Sequence, residues 1–135
     1  MPKPYHGIRI YLSEGSNRFE EVYLFPMYGC SKSMAADFDH DGDLDIAGIA
    51  FYDNTNHPTK GFVYLENSGN LDYTAHYMDQ AAYGKWLTMD LGDFDNDGYT
   101  DIFLGSYFHN IQELSTRVSP SGEHLPQVLW LSYKK

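Results

Sequence analysis

Two short stretches of this chain carry so many carboxylates that they decide what can be built around them. Asp37-Phe38-Asp39-His40-Asp41-Gly42-Asp43-Leu44-Asp45 places five acids in nine residues, and Asp93-Phe94-Asp95-Asn96-Asp97-Gly98-Tyr99-Thr100-Asp101 places four. In both, Asp stands at positions 1, 3, 5 and 9, Phe at 2 and Gly at 6. Gly at 6 permits a backbone conformation that residues with a Cβ resist. The acids on either side then converge, and the carbonyl of position 7, Asp43 or Tyr99, can turn inward. Four carboxylates and one carbonyl make an all-oxygen shell, which suits the flexible geometry of Ca²⁺ better than Mg²⁺, which holds its waters. Polar turns without metal use the same residue types. Against that reading, carboxylates ~4 Å apart repel by roughly 1 kcal/mol even in water, and neither loop contains a Lys or Arg. The residues therefore predict one Ca²⁺ per loop, about two per chain.

An EF-hand is excluded, because that loop needs a bidentate Glu at position 12 and flanking helices. Position 12 is Gly48 in the first loop and Leu104 in the second. Each loop is succeeded by a short apolar, aromatic and β-branched run, 46–52 and 102–108, of the kind that forms a buried strand. The acidic loop therefore joins strand to strand.

The loops belong to a longer repeat. Gly7-Ile8-Arg9-Ile10-Tyr11-Leu12, a turn cluster at 13–17 and the run Phe19–Phe25 read as strand, turn, strand; Gly61-Phe62-Val63-Tyr64-Leu65 through Tyr73 repeats them. Gly7 to Gly61 is 61 − 7 = 54 residues and Asp37 to Asp93 is 93 − 37 = 56, a period near 55. Four strands per period match one propeller blade in size and count. The 135 residues then divide into two outer strands of a preceding blade (7–25), a complete blade (31–78) with loop 37–45, and a second blade (85–133) with loop 93–101 that lacks its last strand. The expected fold is all-β, a partial β-propeller of about two four-stranded blades with a calcium loop in each. A propeller closes with four or more blades, so the chain is expected to be a fragment or to be completed by oligomerisation through open blade edges. No regular helix is predicted; Gln112–Arg117 is the one short candidate.

Twelve Tyr and eight Phe favour sheet over helix. A net charge of −10, or −10 + 4 = −6 with two Ca²⁺, argues against nucleic acid or an anionic membrane surface as partner. No apolar run approaches the ~18 residues of a membrane span. Residues 1–6 lack the apolar core of a signal peptide. Millimolar extracellular calcium suits such loops better than the cytosol does, so the expectation is a piece of a longer protein that is secreted, periplasmic or on the cell surface. Cys30 stands alone and reads as a packed residue, not a reactive thiol.

The segments Ala36–Ile46 and Gly92–Ile102, with Val63-Tyr64-Leu65-Glu66-Asn67-Ser68-Gly69-Asn70-Leu71, resemble the FG-GAP/VCBS repeat, the calcium-binding blade of integrin-α-like propellers and of many secreted bacterial proteins. The resemblance covers roughly residues 7–108, and 127–131 more weakly. It implies that Asp37, Asp39, Asp41 and Asp45 with the Asp43 carbonyl hold one ion, and Asp93, Asp95, Asp97 and Asp101 with the Tyr99 carbonyl the other. Phe38 and Phe94 would pack in the blade core. Complete relatives carry more repeats than this chain. The implied function is extracellular binding or adhesion to a protein or glycan ligand, with structural calcium and no catalysis. The alternatives are a scaffold portion of a secreted polysaccharide-degrading enzyme and a self-assembling blade unit.

Other chemistry finds little support. The six His show no zinc-binding spacing, and no nucleophile elbow or phosphate loop is present. His40 reads as a solvated loop residue directed away from the metal. Tyr83, Lys85, Trp86 and Trp130 could form an aromatic sugar-binding surface, though core packing is the simpler role. The irregular stretch 109–126 is functional or disordered by length alone.

Overall fold

A computed structural model of the chain describes residues 6–51, 57–108, 122 and 124–133. The helix candidate Gln112–Arg117 lies outside the described residues, as does most of 109–126. The described residues are all-β, as the aromatic and β-branched content requires. Among the described residues nine strands run in order: β1 Gly7–Gly15, β2 Arg18–Pro26, β3 Cys30–Ala36, β4 Asp45–Ala50, β5 Phe62–Asn67, β6 Tyr73–His76, β7 Trp86–Gly92, β8 Asp101–Ser106 and β9 Val128–Leu131. They form three small antiparallel sheets: β1-β2, β3-β4-β5-β6 and β7-β8-β9. None of the three closes on itself. Two single-turn 3₁₀ segments, Pro58–Gly61 and Asp79–Tyr83, lie between strands.

Local chemistry explains the hairpins. Gly15, Ser16 and Asn17 have φ of 79°, 53° and 60°, and Gly69, Asn70 and Leu71 repeat this with 94°, 55° and 62°. Gly and Asn tolerate the left-handed region, so the same turn is written at the same point of both repeats.

Packing follows from alternation along the strands. Every residue of β4 is buried, because its two faces meet two different neighbours. Ile46 and Ala50 pack with Val63 and Leu65 against Ile8 and Met27, with Ile10, Tyr23 and Phe25 of the first sheet alongside. Ala47 and Ile49 pack with Phe38 and Phe62 against Trp86, Met89, Ile102 and Leu104 of the last sheet. The middle sheet is thus sandwiched, and its trailing face, toward the later chain, meets the leading face of the last sheet. Gly48 is what lets the first sheet close in: a Cβ there would stand 2.6 Å from Ile8 Cδ1. Trp86, with no exposed surface, anchors the 79–83 turn through Nε1–H donating to the Ala81 carbonyl at 2.9 Å. Its burial assigns this tryptophan to the core and removes it from any sugar-binding surface. Lys32 Nζ spans the two later sheets to the Met89 carbonyl at 2.6 Å.

Candidate metal centres

Each acidic loop connects antiparallel neighbours, β3 to β4 and β7 to β8, so its two ends are pinned by strand pairing from Ala36–Asp45 and Gly92–Asp101 inward. Between those pins the backbone turns on two left-handed residues, His40 and Gly42 at φ 61° and 97°, matched by Asn96 and Gly98 at 57° and 90°. That turn aims successive N–H groups at the carboxylates. Asp41 N–H donates to Asp37 Oδ1 (3.1 Å) and Asp39 Oδ1 (3.1 Å), Gly42 N–H to Asp37 Oδ2 (3.2 Å), Asp43 N–H to Asp41 Oδ1 (2.9 Å) and Phe38 N–H to Asp45 Oδ2 (3.2 Å). The second loop repeats all five: Asp97 N–H to Asp93 Oδ1 (3.1 Å) and Asp95 Oδ1 (3.3 Å), Gly98 N–H to Asp93 Oδ2 (3.0 Å), Tyr99 N–H to Asp97 Oδ1 (2.8 Å) and Phe94 N–H to Asp101 Oδ2 (2.9 Å). The two loops are one geometry written twice.

One carboxylate oxygen from each of Asp37, Asp39 and Asp45 lies within 4.8 Å of the other two, and the same holds for Asp93, Asp95 and Asp101. These groups could hold a metal ion. Oxygens bound to one Ca²⁺ at ~2.3–2.6 Å stand at most ~5 Å apart, so each trio fits inside a single coordination shell. Asp41, Asp43 and Asp97 are not in the trios; the position-5 acids instead accept the N–H of position 7. Burial first, and like charges after it, act on Asp39 and Asp95. Burial, with Asp45, Asp41 and Asp37 as like charges, pushes Asp39 above the usual carboxylate range despite the Asp41 N–H. Burial and the charges of Asp97, Asp101 and Asp93 do the same to Asp95.

The last acid of each loop is fully buried, Asp45 and Asp101 alike, but their surroundings differ. Asp45 is saturated: Tyr64 Oη–H donates to Oδ2 at 2.8 Å and Asn67 N–H to Oδ1 at 2.9 Å. The neighbouring Leu44 carbonyl accepts from Asn67 Nδ2 (3.2 Å) and Tyr73 Oη (3.3 Å). Burial and Asp45 push the Tyr64 hydroxyl well above its ordinary range, keeping it a donor. By register, Trp130 takes the place of Tyr64, since Ala47 pairs with Tyr64 and Phe103 with Trp130. There Asp101 Oδ1 is buried with no hydrogen-bond partner, a condition that ordinarily costs about 1–3 kcal/mol. Burial pushes the Asp101 carboxyl up, but the Phe94 N–H, the Ser132 hydroxyl and the Trp130 indole pull it below the usual range. By strict geometry Ser132 Oγ completes no hydrogen bond and is itself buried without a partner. A buried carboxylate oxygen that completes no hydrogen bond, in an all-oxygen group, fits a bound cation.

The buttressing residues Tyr64, Asn67 and Tyr73 are not apparent from the acidic pattern, although the strand that carries the first two is part of the repeat. His40 is exposed, as its loop position suggests, but it is not merely solvated: its ring stacks on Tyr99, centroids 4.2 Å apart, and Tyr99 stacks on Tyr133 at 5.4 Å. Beside the loops, a cleft of about 200 Å³ lies between the middle and last sheets, lined mainly by apolar groups including Phe38, Tyr64, Ile102 and Tyr133. Trp130 is half-exposed and Tyr83 partly buried, so these aromatics do not form one surface with Trp86. Cys30 is partly buried, and burial pushes its thiol up.

Compared with known proteins, the chain matches no family model, no curated protein and no solved structure.

Proposed function

We propose that this chain is a calcium-braced run of propeller-type blades, in which one Ca²⁺ per acidic loop serves a structural role and the assembly acts as an extracellular binding or adhesion module. The observation that carries the metal half is the buried Asp101 Oδ1, which completes no hydrogen bond although its carboxylate belongs to a three-carboxylate group. A divalent cation supplies the missing positive charge in both loops, and Asp37, Asp39, Asp45 and their counterparts Asp93, Asp95, Asp101 are its holders. The ion adds charge neutralisation and fixes the turn between two strands. A ligand that binds only the folded state stabilises by mass action, about 2.7 kcal/mol per site at a hundred times its Kd. The binding half draws on the resemblance to FG-GAP/VCBS repeats and on the acidic surface, which points to a protein or glycan partner and away from nucleic acid.

The test is a calorimetric titration with Ca²⁺ and with Mg²⁺, followed by screening of the immobilised chain against glycan and matrix-protein panels in Ca²⁺ and in EDTA. Two sites selective for Ca²⁺, with calcium-dependent capture of a ligand, support the reading. Absence of Ca²⁺ binding sinks the metal half, and absence of any captured ligand the binding half.

A further inference from the structure

Phe38 and Phe94 hold the same position of the repeat, yet Phe38 is 3% exposed and Phe94 is 49% exposed. The resemblance to FG-GAP/VCBS repeats implies that both pack in the core; for Phe94 the structure corrects this. The reason is positional. The trailing face of the middle sheet, where Phe38, Ala47 and Phe62 lie, is covered by the last sheet. The corresponding face of the last sheet carries Phe94, Phe103, Val128 and Trp130. Phe103 packs tilted against Phe94 at 4.3 Å and stacks on Trp130 at 5.9 Å, while Val128 and Trp130 are 57% and 50% exposed. A contiguous aromatic surface of this kind marks an interaction site.

We propose that this face docks a second copy of the chain, which seats on it with the outward face of its β1-β2 hairpin. Continuity with the internal packing identifies the occupant. The first sheet's trailing face (Ile8, Ile10, Tyr23, Phe25) meets the middle sheet's leading face, and the middle sheet's trailing face meets the last sheet's leading face. Both junctions run trailing to leading, and neither is back to back. The trailing face of the last sheet therefore calls for a leading face, and the chain has one to offer. On the other side of the hairpin, Arg9 pairs in register with Leu24 and Tyr11 with Glu21. Arg9 Nη1 and Tyr11 Oη both donate to Glu21 Oε2, at 2.6 and 2.7 Å. Leu24, Tyr11 and Phe19 are 39%, 49% and 66% exposed. A guanidinium keeps donors and a flat cationic face beyond one ion pair, and Trp130 is the best aromatic partner for it. Unlike surfaces meeting in this way give a head-to-tail contact, which closes a ring or grows a filament. Trp130 also lies beside the Asp101 carboxyl, so Val128→Glu serves as the second probe of the same face.

The experiment is sedimentation velocity in Ca²⁺ on the wild type, on Trp130→Glu, on Leu24→Glu and on an equimolar mixture of the two variants, with circular dichroism to confirm folding. Val128→Glu replaces Trp130→Glu if that variant misfolds. The wild type is expected to gain mass with concentration, and each variant alone to stay a single chain. The mixture should form a one-to-one complex and nothing larger, because only one intact pair of faces remains. A wild type that stays monomeric throughout, a folded variant that still self-associates, or a mixture that fails to pair would each overturn the proposal.

Discussion

His40 of the first acidic loop lies flat on Tyr99 of the second, ring centroids 4.2 Å apart and planes 18° from parallel. Position 4 of one loop thus touches position 7 of the other, where the backbone of a metal shell is expected to turn. An ion ordering one loop would bear on the other through this contact.

Replacing His40 with Ala should separate them. Aromatic pairs contribute about 0.5–1.5 kcal/mol beyond their buried area, so loss of the stack should weaken coupling between the two Ca²⁺ sites by about 2- to 10-fold. A calcium titration followed by two-dimensional NMR checks this: coupled changes in both loops for the wild type, independent ones for the variant. Identical titrations would show that the stack carries no coupling.

The two buried acids should respond differently to amidation. Asp45 accepts three hydrogen bonds through both oxygens, so Asp45→Asn turns an acceptor into a donor against the structure. It should cost about 1–3 kcal/mol even in EDTA. Asp101 Oδ1 accepts none; Asp101→Asn should be close to neutral in EDTA and should forfeit most of the stabilisation that a bound Ca²⁺ would give the second loop. Urea melts of both variants with and without Ca²⁺ decide the matter.

At Gly48 an added methyl would meet Ile8 Cδ1 at 2.6 Å and Val63 Cγ1 at 3.2 Å. The Ile8 end can rotate aside, so Gly48→Ala should fall at the mild end of the ~1–3 kcal/mol cost of overpacking. Its signature should be faster amide exchange in β1 and β2 with little change in β7 and β8. Ile8→Val in the same chain should restore protection.

Trp86→Phe should be more costly. It leaves the Ala81 carbonyl without its 2.9 Å donor and opens a void in a fully buried site. A loss of about 2–4 kcal/mol is expected, measurable as a lower urea midpoint with unchanged slope.

The all-β class and the acidic loops were legible because both rest on local chemistry. Position 6 glycine, alternating apolar runs and Gly/Asn turns act over a few residues, and the φ values at Gly42 and Gly98 follow from them. What was not legible depends on neighbours distant in sequence. Tyr64 reaches Asp45 across 19 positions, and His40 meets Tyr99 only because two loops lie side by side. The exposure of Phe94 cannot be told from that of Phe38 by any local pattern, since the difference lies in what stacks behind each sheet. Likewise Trp86 and Trp130 are equally aromatic, and only packing sends one inside and leaves the other half-exposed.

The packing between sheets always runs in one direction, trailing face onto leading face, and this has a consequence for how such a gene can change. A whole unit of about 55 residues inserted at a junction brings one face of each kind, so both new contacts are of types already present. A partial unit brings mismatched faces and exposes an aromatic surface at the break. Length variation in chains built this way should therefore come in whole units, by tandem duplication and loss, with the acidic loop inherited intact in each copy.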